Sequence, residues 1–244
     1  MEILVLQHIK IEDPGYIKDL MISDNYELTT IELDEGEKIP KNLDKFDAML
    51  CMGGPMDTWM ETEYPWLKEE KKSIKEFVLN LEKPFLGFCL GCQLLGETVG
   101  GKVVKSQAPE IGILDVKLLD EAKNDDIFLS FPKFIKALQW HSYEVQNISN
   151  INNVKILASS EKTGVQIFKY KDHAYGIQFH IEIKDTTVRE WGCVPEYKLA
   201  LENALGDGAL EKFDRETKKN MQQMNMYSTN LYRSFKKKLI KKNK

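Results

Sequence analysis

Apolar runs bounded by turn residues alternate with longer amphipathic stretches through the first half of the chain. Glu2–Gln7 reads as a strand, Pro14–Ser23 as a helix, and Leu28–Leu33, with its β-branched residues, as a second strand. Phe46–Met52 is an apolar run that breaks at Gly53-Gly54-Pro55, as a buried parallel strand entering a loop would. Pro65 opens a helical pattern to about Leu81, charged on one face and carrying Leu67, Ile74, Phe77, Val78 and Leu81 on the other. Pro84–Phe88 and Gly91–Val99 are the next strand and helix. This alternation builds βαβ units, and therefore a parallel sheet covered by helices on both faces.

From Gly112 the texture changes. Gly112–Leu118, Ile135–Trp140, Val154–Ser159, Gly164–Tyr170 and Ala174–Phe179 are short strands in close succession, the pattern of an antiparallel extension. After Glu182 the pattern turns helical. From Asp207 to Lys242 scattered apolar residues at helical spacing predict one or two helices, too poor in apolar side chains to bury a core of their own. The expected organisation is one domain over residues 1–190 and a helical extension over 191–244 packed on it.

Composition narrows the function classes. With 244 residues, 42% of them hydrophobic, the chain can bury a sizeable core, which excludes collagenous and wholly disordered readings. Its longest apolar runs fall far short of the roughly 18 residues of a membrane span. The N-terminus MEILVLQHIK reads as a first strand and not as a signal peptide. Four cysteines without an export signal point to free thiols in a reducing compartment, so a cytoplasmic location is expected. The net charge of −4 hides a basic end: residues 205–244 hold eleven Lys/Arg against four Asp/Glu. Such a run suits a solvated helix end near the negative pole of its dipole, or a docking element for an acidic partner. Nothing else in the chain favours nucleic acid.

The sharpest local signal is Gly87-Phe88-Cys89-Leu90-Gly91-Cys92-Gln93, set between a strand and a helix. A nucleophile on a tight strand-to-helix turn needs small neighbours, which the flanking glycines provide. The turn presents the Cys89 sulfur at a helix N-terminus, where the dipole and free N–H groups favour thiolate. The Leu90 N–H is then a natural oxyanion donor. Cys89-x-x-Cys92 also fits a redox pair, half of a zinc site, or two inert core thiols. A second Cys/His pair for zinc is missing from the sequence, and the motif follows several βα units, unlike a thioredoxin-type frame. A Cys nucleophile requires a base and the base an orienter. His180 ends the strand-like Gly176–Phe179, and Glu182, two residues on, falls on the same side of an extended segment. His8 and His173 read as incidental, His141 as either packed or substrate-facing, Trp59 and Trp66 as core or rim, and Glu110 is assigned no role.

Together these motifs resemble the class I glutamine amidotransferases, the Cys-His-Glu type, and among them proteins similar to the GMP synthase glutaminase domain. The resemblance rests on Gly53-Gly54-Pro55-Met56-Asp57, Tyr64-Pro65-Trp66-Leu67, the Cys89 motif, Pro109-Glu110-Ile111-Gly112, Gln139-Trp140-His141 and Gly176–Glu182, collinear over about residues 1–190. It implies an α/β fold of flavodoxin-like, three-layer type: a mostly parallel central sheet flanked by helices, with a short antiparallel extension and C-terminal helices. It implies Cys89 as nucleophile, His180 as general base and acid, and Glu182 as its orienter. The backbone N–H groups of Gly54 and Leu90 would form the oxyanion hole. Gln93, Ser142 and Tyr143 would hold the amino-acid end of glutamine or another γ-glutamyl compound. The family usually has proline between the histidine and the glutamate, where this chain has Ile181. No metal or organic cofactor is implied. The sequence shows neither a P-loop nor an ATP-pyrophosphatase loop, so ammonia would pass to a separate synthase. Hydrolysis of γ-glutamyl bonds by the chain alone, or a degenerate binding module, are the other readings.

Overall fold

The computed structural model of the chain describes residues 1–242, with side chains to residue 240. Nine strands form a single sheet in the order β2-β1-β3-β4-β9-β8-β7-β5-β6. The parallel half comprises β1 (Glu2–Gln7), β2 (Glu27–Glu32), β3 (Ala48–Cys51), β4 (Phe85–Phe88) and β9 (Ala174–Ile177). The rest is antiparallel: β8 (Ile167–Tyr170), β7 (Val154–Ser159), β5 (Lys102–Leu118) and β6 (Phe134–Gln146).

Alternation along β1 shows how the layers arise. Ile3 and Val5 face one core, with Ile17 and Met21 of helix α1 (Gly15–Ser23). Leu4 and Leu6 face the other, with Leu67 and Ile74 of α2 (Leu67–Lys75) and Leu94 and Leu95 of α3 (Leu90–Thr98). All four β1 residues are wholly buried, each worth about 1.5–3 kcal/mol of transfer free energy. That explains why β1, β3 and β4 read as apolar runs and not as alternating strands. The helix expected from Pro65 to Leu81 starts at Leu67 and widens into a π-helical turn, Glu76–Asn80, that keeps Phe77 and Val78 in the core.

Two expectations change. The antiparallel extension is long: β5 has 17 residues and β6 has 13, where Gly112–Leu118 and Ile135–Trp140 were expected. Their outer ends carry exposed Lys102, Lys105 and Gln107, and the register shifts between Lys105 and Glu110, so apolar runs mark only the half over the core. The chain beyond α4 (Thr187–Trp191) and α5 (Pro195–Leu205) forms one helix, α6 (Ala209–Lys242), rather than a core helix with a solvated basic end. Phe235 and Leu239 are core residues on the layer that holds α1. Lys236 pairs with Asp24 at 2.7 Å, and Lys238 lies 3.6 Å from Asp126, so these tail charges meet acids of the same chain. Lys244 and the side chains of Lys241 and Lys242, also part of the basic run, lie outside the described residues.

Candidate active site

The C-terminal ends of β1, β3, β4 and β9 lie side by side, the edge where parallel sheets carry ligand-facing residues. Each end delivers part of the site: His8 and Glu12 after β1, Gly53-Gly54 after β3, Cys89 after β4, and Gln178-Phe179-His180-Ile181-Glu182 after β9.

Cys89 caps the start of α3 with φ 49° and ψ −104°, a backbone state that non-glycine residues avoid at a cost of about 1–3 kcal/mol. The surroundings enforce it. A Cβ on Gly87 would meet the Gly91 carbonyl oxygen at 2.3 Å, and one on Gly91 would meet that of Cys51 at 2.1 Å. The Cys89 N–H donates to Ile177 O at 2.8 Å and fastens the turn to β9. As first residue of α3, Leu90 carries an N–H that the helix itself leaves free.

His180 Nδ1 donates to Glu182 Oε1 at 2.6 Å, and both side chains are about 2% exposed or less. The other ring nitrogen is left for Cys89, with which His180 makes its remaining side-chain hydrogen bond. Burial opposes charge on the ring, but the Glu182 carboxylate and the Cys89 sulfur outweigh it and hold His180 well above its ordinary value. Ile181 resolves the departure at this position. Its N–H donates to Glu182 Oε2 at 2.9 Å, a bond that proline has no N–H to make. The Ile181 carbonyl accepts from Ser228 of α6 at 2.6 Å, so the turn between His180 and Glu182 is held on both sides.

The remaining expected residues also converge. Gln93 Nε2 contacts both Tyr143 O (3.4 Å) and Gln178 Oε1 (3.3 Å), and Gln178 Nε2 lies 3.7 Å from Cys89 Sγ. Tyr143, beside Ser142 on β6, meets the half-exposed Trp59 edge-on at 4.8 Å, which joins the Gly-Gly-Pro loop to β6. His141 takes its structural reading: Nδ1 donates to Tyr143 O at 3.0 Å, and Nε2 lies 3.4 Å from the buried Glu110. His173 contacts Val78 O, remote from the site.

Several residues here were not singled out in the sequence. Gln178 lies two residues before His180, so the same period of two that marked Glu182 also marks it. Glu12 is buried beside His180, its carboxyl pushed up by burial and partly drawn back by His180 and a hydrogen bond from Tyr197 of α5. Trp191 stands edge-on to the His180 ring at 4.7 Å. His8 is not incidental: Nδ1 donates to Gly53 O at 2.9 Å, and Nε2 donates to Glu70 at 2.8 Å. Its partners lie 45 and 62 residues away, beyond any local pattern.

The four thiols differ sharply. Cys51 and Cys92 are buried and pushed well above the ordinary thiol range, first by burial, then by Glu70 and Cys89 respectively. Cys193 is exposed. A diazo-ketone analogue of glutamine should therefore label Cys89 alone, whereas a small haloacetamide should also label Cys193. Peptide mapping distinguishes the two patterns, and analogue label on Cys51 or Cys193 would count against the site.

A nucleophile on a strained strand-to-helix turn, hydrogen-bonded to a histidine that a carboxylate holds, is equipped for acyl transfer through a thioester. The comparisons with known proteins agree on the class. The family model for glutamine amidotransferase class-I matches residues 16–190, and the chain belongs to that family. The glutamine-hydrolyzing subunit of GMP synthase from Sulfolobus acidocaldarius is 34% identical over 151 residues, 62% of this chain and 74% of that protein. A glutamine amidotransferase-like protein of Salmonella typhimurium is 27% identical over 228 residues, covering 92% of this chain and 93% of its own length. The crystal structure of a glutamine amidotransferase from Thermotoga maritima superposes with a TM-score of 0.83 at 29% identity, covering 96% of this chain and 98% of that one. Among the described residues no helix is long and apolar enough to cross a membrane.

Proposed function

We propose that the chain hydrolyses the side-chain amide of glutamine through a γ-glutamyl thioester on Cys89. The observation that carries this reading is the hydrogen-bonded series Cys89–His180–Glu182 at the strained turn. The sulfur attacks the amide carbonyl, and the N–H groups of Gly54 and Leu90 receive the oxyanion, each donor contributing roughly 3 kcal/mol. His180 gives its proton to the leaving ammonia, then takes one from the water that opens the thioester to glutamate. Glu182 fixes the tautomer throughout. Gln93, Ser142 and Tyr143 hold the α-amino and α-carboxylate end. The chemistry calls on no metal or organic cofactor. Ammonia passes to a separate synthase, the division of labour that the name of the Sulfolobus relative describes for that protein.

A second reading, hydrolysis of γ-glutamyl peptides or amides by this chain alone, draws on Trp191 and Tyr197. Both flank His180 and Glu12 from helices beyond the family-matched segment, so the chain's own extension finishes the wall of the site. The purified protein, assayed alone for glutamate and ammonia release from glutamine and from a γ-glutamyl peptide panel, separates the two. Turnover of glutamine is the expected result. Turnover confined to the peptides selects the second reading. No turnover, together with an unreactive Cys89, returns the chain to a binding module.

A further inference from the structure

Glu70 and His8 are wholly buried on opposite sides of a short hydrogen bond, and the proposed chemistry uses neither. Glu70, on α2, accepts from His8 Nε2 at 2.8 Å and from the Cys51 thiol at 3.4 Å through the same oxygen. The opposite edge of the His8 ring donates to the Gly53 carbonyl at 2.9 Å. Gly53 O and the Gly54 N–H belong to one peptide unit, and the described chain contains no cis peptide bond. In a trans unit the two groups point in opposite directions. Whatever holds the oxygen therefore aims the N–H. The unit is also close to the reacting groups: a Cβ on Gly53 would lie 3.3 Å from His180 Cε1, and one on Gly54 3.1 Å from the Leu90 side chain.

We propose that His8, anchored by Glu70, is a positioning residue that sets the Gly53–Gly54 peptide so that its N–H serves as an oxyanion donor. This rests on the reading of Gly54 under Proposed function. Two glycines in succession have little conformational preference of their own, and a flip of this peptide would turn a carbonyl toward the developing negative charge. With acceptors at both ring nitrogens, His8 donates twice and carries a proton on each. Burial works against that charge, and the Glu70 carboxylate more than restores it. Cys51, Glu70 and His8 also form a potential three-donor metal cluster, but the Cys51 thiol, driven well up by burial and by Glu70, is a poor ligand in its protonated form.

Two substitutions divide the ring's functions. His8→Asn places an amide N–H where Nδ1 stands and keeps the bond to Gly53 O. His8→Gln reaches toward Glu70 and leaves Gly53 O without its donor. On the full chain with glutamine, His8→Gln should lower kcat about a hundredfold with KM nearly unchanged, the loss typical of a missing oxyanion donor. His8→Asn should recover most of it. Haloacetamide alkylation of Cys89, which develops no oxyanion, should proceed at the wild-type rate in both. Equal kcat in wild type and His8→Gln overturns the proposal, as does loss of Cys89 alkylation alongside kcat. Uptake of one equivalent of zinc by the wild type, absent in Glu70→Gln, would give the cluster to a metal and overturn it too. A wild type that turns over no γ-glutamyl substrate overturns the function itself, an outcome distinct from all of these.

Discussion

Replacing Cys89 with Ala or Ser is expected to lower glutamine or γ-glutamyl turnover by roughly four to six orders of magnitude, the scale on which removing a nucleophile acts, while Cys92→Ala retains most of it. The two thiols are one helical turn apart yet stand in different chemistry. Cys89 occupies the strained cap of α3 with His180 in hydrogen-bonding contact. Cys92 is wholly buried, close against the backbone of β9, and its thiol resists ionisation. Losing that sulfur leaves a small cavity, a cost of about 1 kcal/mol by analogy with other small core truncations. Release of ammonia and glutamate, followed for each variant at matched concentration, decides the matter. Equal and complete loss in both would point to a redox pair.

Deleting Arg233–Lys244 is expected to collapse the protein's stability. Phe235 and Leu239 fill the core on the α1 side, and truncating such residues to alanine costs about 3–5 and 2–5 kcal/mol respectively. For a chain of this size, Phe235→Ala should lower Tm by roughly 10 °C. Replacing Lys237, which is exposed, should change Tm little. Thermal unfolding of the three variants checks the series. A deletion that keeps the wild-type Tm and abolishes salt-sensitive association with an acidic partner would restore the docking role that the basic composition suggested.

The tail shows what could be read from the chain and what could not. Phe235 and Leu239 are spaced i, i+4, a visible apolar stripe, but six lysines among the last nine residues mask it. Lysine stems lie along apolar surface with their charges outward, so a basic run and a buried face coexist on one helix. By contrast β1, β3 and β4 were legible because burial on both faces leaves unbroken apolar runs. The turn at Cys89 was legible because its crowding demands glycine at 87 and 91. His8, Glu12 and Glu70 escaped notice because their meaning lies in contacts that only the fold makes. A histidine at the end of β1 looks no different in sequence from a histidine on a surface.

One bond carries a consequence for how the enzyme is made. Ser228 of α6 grips the Ile181 carbonyl between His180 and Glu182. During synthesis, Cys89, His180 and Glu182 leave the ribosome well before this serine does. A nascent chain can fold its sheet and present the nucleophile while the turn that aligns the histidine still lacks its clasp. Proficiency in hydrolysis would then arrive only as the last helix docks, so that translation itself delays ammonia release until the molecule is nearly finished.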